Sequence, residues 1–509
     1  MTDLHLALDH AAGRLAAQLA AGCRDAIRTG RLAAGTRLPS SRDLARDLGV
    51  SRGVVVTAYE QLIAEGFLVA RRGDGTRVAP NARPVPESSA EGRQPEGRPA
   101  PRRHGQLTDP PPRLAPSAPE EGDAAGVRFD LTPGRPDLAA FPRSRWLAAY
   151  RTALQSVPHR ALTYPDPGGV PELRAGLAAY LGRVRAAHAD AAQVVIMNGV
   201  ALGLSSAVRA LVAAGRTTLA LEDPASERQL PMLEATGARI VRVPVDAGGL
   251  DVAALARTGA DAVLVTPAHQ YPTGVVLAPE RRAALVDWAR AADAVIVEDD
   301  YDAEFRYDGD PVGCLQGVAP ERTVLLGSVS KALAPGMRLG WAVAPPWMAS
   351  DLREHRELSD LGGPVLDQHA FARFLADGAY DRHLRAMRRR YRSRRDALVA
   401  ALHEHIPDAV VRGISAGVHL YLELPAGTSE TAVVDVAAES GVRVSGASEM
   451  WSAEQRRPAL VLGYAALAEP RLHEAARVLG AAVTRTRRHP NRPSSEPAVT
   501  RTRRHPNPA

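Results

Sequence analysis

The sequence predicts a multidomain chain: a small α+β unit over residues 1–80, then an α/β unit over 127–484 that carries a smaller α+β subdomain. Three observations predict it. Residues 1–80 show short helical patterns set off by caps and glycine stops, then two β-rich runs around a glycine turn. Residues 81–126 are rich in Pro, Glu, Gly and Arg with few large apolar residues, a composition that cannot bury enough surface to order itself and reads as a disordered linker. From about Val127 to Val483, β-rich apolar runs alternate with Ala/Leu/Arg-rich helical stretches. That is the pattern of a mostly parallel sheet covered on both faces.

Composition narrows the function classes. Hydrophobic residues make up 45% of 509, ample for a large core. There is no run of about 18 apolar residues and no basic-then-apolar leader, so a soluble, cytoplasmic protein is expected. Cys23 and Cys314 are too few and too far apart for a disulfide framework. Neither has metal-ligand neighbours, so both read as small buried apolar residues and no metal is expected. The formal charge of +6 is compatible with nucleic-acid binding. Part of it comes from residues 485–509, where the segment Ala482–Asn491 recurs at Ala498–Asn507 without hydrophobics to pack. This tail is expected to be low-complexity and disordered.

In the amino-terminal unit, Leu15, Leu19, Cys23 and Ile27 recur at near-helical spacing and Gly30 stops the helix. Ser40 can cap a short helix ending at Gly49, and Ser51 a third helix running to about Glu65, ended by Gly66. Two short helices joined by Gly49-Val50-Ser51 make a helix-turn-helix whose second helix presents Ser51, Arg52, Gly53 and Val54 to a major groove. Phe67–Ala70 and Thr76–Ala79 read as a β-hairpin wing. A helical dimerisation module with a solvated basic face is the alternative. The stretches Leu38-Pro39-Ser40-Ser41-Arg42-Asp43-Leu44-Ala45, Leu48-Gly49-Val50-Ser51-Arg52 and Ala64-Glu65-Gly66-Phe67-Leu68 closely resemble the winged helix-turn-helix of GntR-type bacterial regulators. The resemblance implies that Arg42, Ser51, Arg52 and Gly53 touch DNA, with the Gly75 loop near the minor groove. Arginines on the leading turns suit phosphate positioning and guanine readout.

Lys331 is the single lysine among 63 basic residues. Arginine cannot replace lysine where chemistry needs a deprotonatable amine, because guanidinium stays protonated. The retained lysine therefore suggests a Schiff base to an aldehyde cofactor. An aldehyde cofactor with a pyridine ring and a phosphate also needs a carboxylate and a phosphate cradle. Asp299, in Glu298-Asp299-Asp300-Tyr301 at a strand end, could supply the carboxylate. Ser328, Arg338 and the turn Asn198-Gly199-Val200 could hold the phosphate, with backbone N–H groups of Gly199 and Val200 opening a helix. Tyr301 could bond the ring hydroxyl, and Tyr271 lies in the loop His269-Gln270-Tyr271-Pro272-Thr273-Gly274 after another strand. Taken singly, the turn is an ordinary β–α connection and the acidic strand end a solvated edge or a metal site. Together they point to pyridoxal 5′-phosphate (PLP).

These motifs, with Ser328-Val329-Ser330-Lys331 through Gly340, resemble the type I fold of class I/II aminotransferases. Joined to the winged helix-turn-helix, they resemble the MocR subfamily of GntR regulators. The resemblance implies a dimer in which each DNA-binding module reaches over the partner's large domain. The linker would span roughly 35–40 Å as a flexible chain, at about 5–6 Å × √n. Two departures stand out. Ser226 follows Glu222-Asp223-Pro224-Ala225 where the family has a ring-stacking aromatic residue. Val461 stands before Leu462-Gly463-Tyr464 where enzymatic relatives place a carboxylate-binding arginine, and Arg456 and Arg457 are out of register. Arg228 matches an arginine that contacts the effector in some members. The expected function is a PLP-dependent transcriptional regulator that senses PLP or an amino compound, with at most residual transaminase activity. The alternatives are an active aminotransferase, or a DNA-binding regulator whose large domain is a cofactor-free scaffold.

Overall fold

The computed structural model describes residues 8–10, 13–71, 75–80, 82, 126–307, 312–452 and 457–487. Most of the expected linker, the wing tip at 72–74, Arg456 and the tail beyond 487 lie outside the described residues.

The amino-terminal unit has helices α1 (Leu15–Arg28), α2 (Ser41–Asp47) and α3 (Arg52–Glu65), then a hairpin of β1 (Leu68–Arg71) and β2 (Gly75–Val78). Ser40 and Ser51 cap α2 and α3 as their spacing predicts, accepting from the N–H groups of Asp43 and Val54. Gly66 ends α3 with φ of 86°, a conformation that only glycine adopts freely. The hairpin strands sit one residue nearer the turn than expected, with Leu68 opposite Val78.

The large unit runs β3 (Phe129–Asp130), α4 (Arg143–Ser156), α5 (Pro171–Arg185), β4 (Val194–Met197), α6 (Val200–Ala213), β5 (Thr218–Asp223), α7 (Leu230–Glu234), β6 (Arg239–Asp246), β7 (Gly249–Leu250), α8 (Val252–Ala256), β8 (Ala262–Val265), α9 (Pro279–Ala291), β9 (Val295–Asp299), β10 (Thr323–Ser328) and β11 (Gly340–Val343). Eight of these strands, all but β3, form one sheet in the order β4-β11-β10-β9-β8-β5-β6-β7. The sheet is mixed: β11 runs antiparallel to both β4 and β10, while β10, β9, β8, β5 and β6 are parallel. Strands β4, β5, β8, β9 and β10 are buried along their whole length, which is why they read as continuous apolar runs rather than alternating ones.

The rest comprises α10 (Pro346–Asp360), α11 (Val365–Ala376), α12 (Ala379–His405), β12 (Val410–Arg412), β13 (His419–Glu423), α13 (Glu430–Glu439), β14 (Val442–Arg443), β15 (Ser445–Gly446), β16 (Ala459–Gly463) and α14 (Glu469–Thr486). The smaller subdomain is the sheet β12-β13-β16-β15 with its helices. It follows α12, one helix of 27 residues from Ala379. It also recruits β3, which pairs with β14 across more than 300 residues of sequence; such a contact leaves no local signature. Helix α14 continues two residues past 484 into the segment expected to be tail. No helix among the described residues is long and apolar enough to cross a membrane.

The winged unit packs against the large unit, its apolar side chains sharing one core with Leu285 and Val286 of α9 and with Leu315, Val318 and Ala319.

Candidate cofactor site and DNA-binding face

The carboxyl ends of β4, β8, β9 and β10 converge, the edge at which open α/β sheets bind ligands. Lys331 follows β10, half-buried, and its Nζ donates to the Gly134 carbonyl at 2.7 Å. Burial lowers the pKa of its amine, opposed by the charges of Asp302 and Asp299 and reinforced by Arg228. Asp299 ends β9 and is buried. Its Oδ2 accepts a long 3.5 Å bond from Gln229, and its Oδ1 has no partner. Burial raises this carboxyl from 3.8 to about 7, with Asp300 adding and Gln229 and Lys331 opposing.

The turn after β4 places Gly199 at φ 87°, directly before α6. The exposed Arg338 guanidinium donates to the Asn198 carbonyl at 2.6 Å and lies over Gly199. Val200 opens α6, and the buried Ser328 hydroxyl closes β10. A cation, a hydroxyl and the free N–H groups of a helix start are the parts of an anion site.

Tyr301 and Tyr271 meet edge to face, ring centroids 6.1 Å apart. The Tyr301 hydroxyl donates to the His269 carbonyl at 2.9 Å and lies 3.0 Å from His269 Nδ1, which is also 3.0 Å from Asp302 Oδ2. His269, Asp302 and His419 bring ligand atoms within 4.8 Å of one another, the residue types of a metal site. His269 Nδ1 and His419 Nε2 have partners in Asp302 and Pro272, while His419 Nδ1 is buried without one. Burial lowers the His419 pKa to about 3, which keeps the ring neutral.

Ser226 opens a turn, Glu227–Gln229, that carries the exposed Arg228. Val461 is fully buried in a small apolar cluster with Tyr421, Ala447 and Ala459, and Arg457 is held by Glu423 at 3.3 Å. Sequence reasoning missed Gly134, Gln229, His269 and Asp302. The first acts through a main-chain carbonyl and the second from a separate turn, so neither leaves a motif. His269 and Asp302 stand inside motifs whose other members drew the reading.

On the winged unit, Arg42, Ser51, Arg52 and Gly53 are exposed side by side at the starts of α2 and α3, with Arg52 Nε 3.3 Å from the Ser41 hydroxyl. Gly75 sits apart on the wing at φ 81° beneath the exposed guanidinium of Arg37, another basic residue the sequence reading passed over.

Residues 15–78 match the family described as bacterial regulatory proteins, gntR family, and residues 135–479 match aminotransferase class I and II. The chain is 35% identical, over 91% of its length and 95% of the other's, to the HTH-type pyridoxine biosynthesis transcriptional regulator PdxR of Corynebacterium glutamicum. It is 32% identical, over 91% of its length and 93% of the other's, to the probable rhizopine catabolism regulatory protein MocR of Rhizobium meliloti. The chain belongs to the MocR subfamily of GntR-type regulators. The large unit of this MocR-type regulator also superposes on LysN, an α-aminoadipate aminotransferase of Thermus thermophilus solved with N-(5′-phosphopyridoxyl)-L-leucine. The TM-score is 0.63 at 26% identity, over 71% of this chain and 93% of that one. Chain order, winged helix-turn-helix first and aminotransferase fold second, is that of a DNA-binding transcriptional regulator.

Proposed function

We propose that this MocR-type regulator binds PLP at Lys331 and couples that site to operator binding. The observation that carries the reading is Asp299: a buried carboxylate with an unpartnered oxygen, in the field of the chain's one lysine. An isolated buried carboxylate is costly unless a cationic or donor partner meets it. A protonated pyridine nitrogen is such a partner, and the residues present fit the group. Asp299 would hold the ring nitrogen, Lys331 the aldehyde carbon, and Tyr301 and Tyr271 the ring's hydroxyl side. Ser328, Arg338, Gly199 and Val200 would hold the phosphate. When bound, PLP supplies a reversible covalent link to amines and an electron sink. Lys331 is suited to it because burial favours the neutral, nucleophilic amine.

Arg42, Ser51, Arg52 and Gly53 would face the major groove and Gly75 the minor groove, with Arg37 beside it. The regulator would work as a homodimer, since two half-sites favour a two-fold protein. The signal is read as PLP itself, because Val461, in an apolar cluster, stands where enzymatic relatives place the arginine that holds a substrate carboxylate. The exposed Arg228, whose charge reaches Lys331, favours the second reading of an amino compound bearing an anionic group.

The test is the absorbance spectrum with added PLP, wild type against Lys331→Ala. A visible band present only in the wild type is expected. Identical spectra would leave the large unit as a scaffold. Operator binding with and without PLP then separates a PLP sensor from an amino-compound sensor.

A further inference from the structure

Beside the shared apolar core, two charged side chains seat the winged unit on the large unit. Arg28, at the end of α1, donates through Nη2 to the Ala186 carbonyl and to the Gly317 carbonyl at 3.0 Å, with its guanidinium over Phe67. Glu65, at the end of α3 and 1% exposed, lies against Gly313, where a Cβ would stand 2.9 Å from its Cγ. The seat leaves Arg42, Ser51 and Arg52 exposed, so it fixes the angle of α3 without covering its DNA face.

The floor of this seat is tied to the strand that carries Asp299. Arg185 makes a two-pronged pair with Asp300 at 2.7 and 2.8 Å and donates to the Val312 carbonyl. The Arg185 carbonyl in turn accepts from Cys314 N–H at 2.8 Å. Arg282 donates to the Gly313 carbonyl at 2.6 Å, and Glu298 accepts the Gln316 N–H at 3.2 Å. Arg185, Arg282 and Glu298 are at most 2% exposed. Both chain neighbours of Asp299 therefore reach away from the cofactor side and brace residues 312–319.

We infer that residues 312–319 transmit occupancy of the cofactor site to the winged unit, with Glu298 and Asp300 as positioning residues and Arg28 as the latch. This rests on the reading that Asp299 meets the cofactor ring. A ligand that fixes the charge on Asp299 changes the field inside a water-excluded network of Asp300, Glu298, Arg185 and Arg282. The same network holds the seat, so seated and unseated arrangements bind that ligand with different affinity, which is what coupling requires. An operator of two half-sites reads the result, because it demands one fixed angle between recognition helices.

The test uses the full chain, PLP as the probe, and a duplex enriched by the wild type from a random library. Hydrogen exchange of wild type should slow across 312–319 and α1 when PLP is added. PLP should shift wild-type affinity for the duplex by about tenfold. Arg28→Ala should keep the Lys331-dependent band while the PLP shift falls below about twofold. The inference is overturned if Arg28→Ala retains the full shift, or if exchange across 312–319 ignores PLP. The exchange arm needs no variant, so it decides even if Arg28→Ala fails to fold. A wild type without the band overturns the cofactor reading itself, and this inference with it.

Discussion

The guanidinium of Arg338 rests over Gly199, so close that a Cβ there would stand 2.8 Å from Nη2. Glycine is required twice at this point, for the contact and for its φ of 87°. Gly199→Ala should strain the turn by about 1 kcal/mol or more and push Arg338 off the start of α6. PLP affinity, read from absorbance titration, should fall about tenfold, the equivalent of about 1.4 kcal/mol. Unchanged affinity would remove Arg338 and the turn from the phosphate site.

Asp299 makes stability depend on pH in a stated direction. Its folded value of about 7 lies above the ordinary 3.8, chiefly through burial. At this group the folded protein therefore binds more protons than the unfolded chain between those values, and the contribution of Asp299 to stability is fully present below about pH 4 and lost as pH rises through about 7. Glu222 and Glu298, also raised to about 7 by burial, act in the same sense. His419, lowered to about 3 by burial, acts in the opposite sense, so the difference between two proteins is the readout: without PLP, wild type should lose stability relative to Asp299→Asn from about pH 5 to about pH 8. Superimposable pH profiles of the two proteins would show that Asp299 is not the buried acid. A cationic ring partner needs Asp299 ionised, so PLP affinity should rise across the same window.

Arg52 is exposed at the first position of α3. Arg52→Ala should weaken duplex binding by at least about fivefold, since a base-reading arginine contributes about 1–3 kcal/mol. Fluorescence anisotropy measures this, and absorbance with PLP should be untouched. Loss of both properties together would refute two separable sites.

Glu65 pairs with Arg24 at 2.8 Å, and both side chains are nearly out of water. Glu65→Ala leaves a buried guanidinium without its carboxylate and should cost about 3 kcal/mol in urea unfolding. Replacing both partners with apolar residues of similar size, Arg24→Met with Glu65→Leu, should cost markedly less. If the double replacement is as damaging as the single one, the unpaired charge is not the cause.

The outlines of both units were legible because their signals are local. Ser40, Ser51 and Gly66 act on N–H and C=O groups a few residues away, and buried parallel strands such as Val194–Met197 read as unbroken apolar runs. Lys331, Asp299, Arg338 and Gly199 could be proposed from sequence because each chemical task admits few residue types. The antiparallel β11 and the recruitment of β3 by β14 were not, because pairing over long sequence separations is decided by which edges remain open once the sheet is assembled.

The sequence by itself determined the order of the units, the single lysine amine, and which residue types stand at the candidate sites. Only the tertiary structure decided what surrounds them. It left Asp299 Oδ1 without a partner, bonded Tyr301 to His269, gave Lys331 the Gly134 carbonyl, and joined Glu298 and Asp300 to the seat of the winged unit. Burial and unmet hydrogen bonds belong to the packed whole, since they depend on atoms that the chain brings together from far apart in sequence.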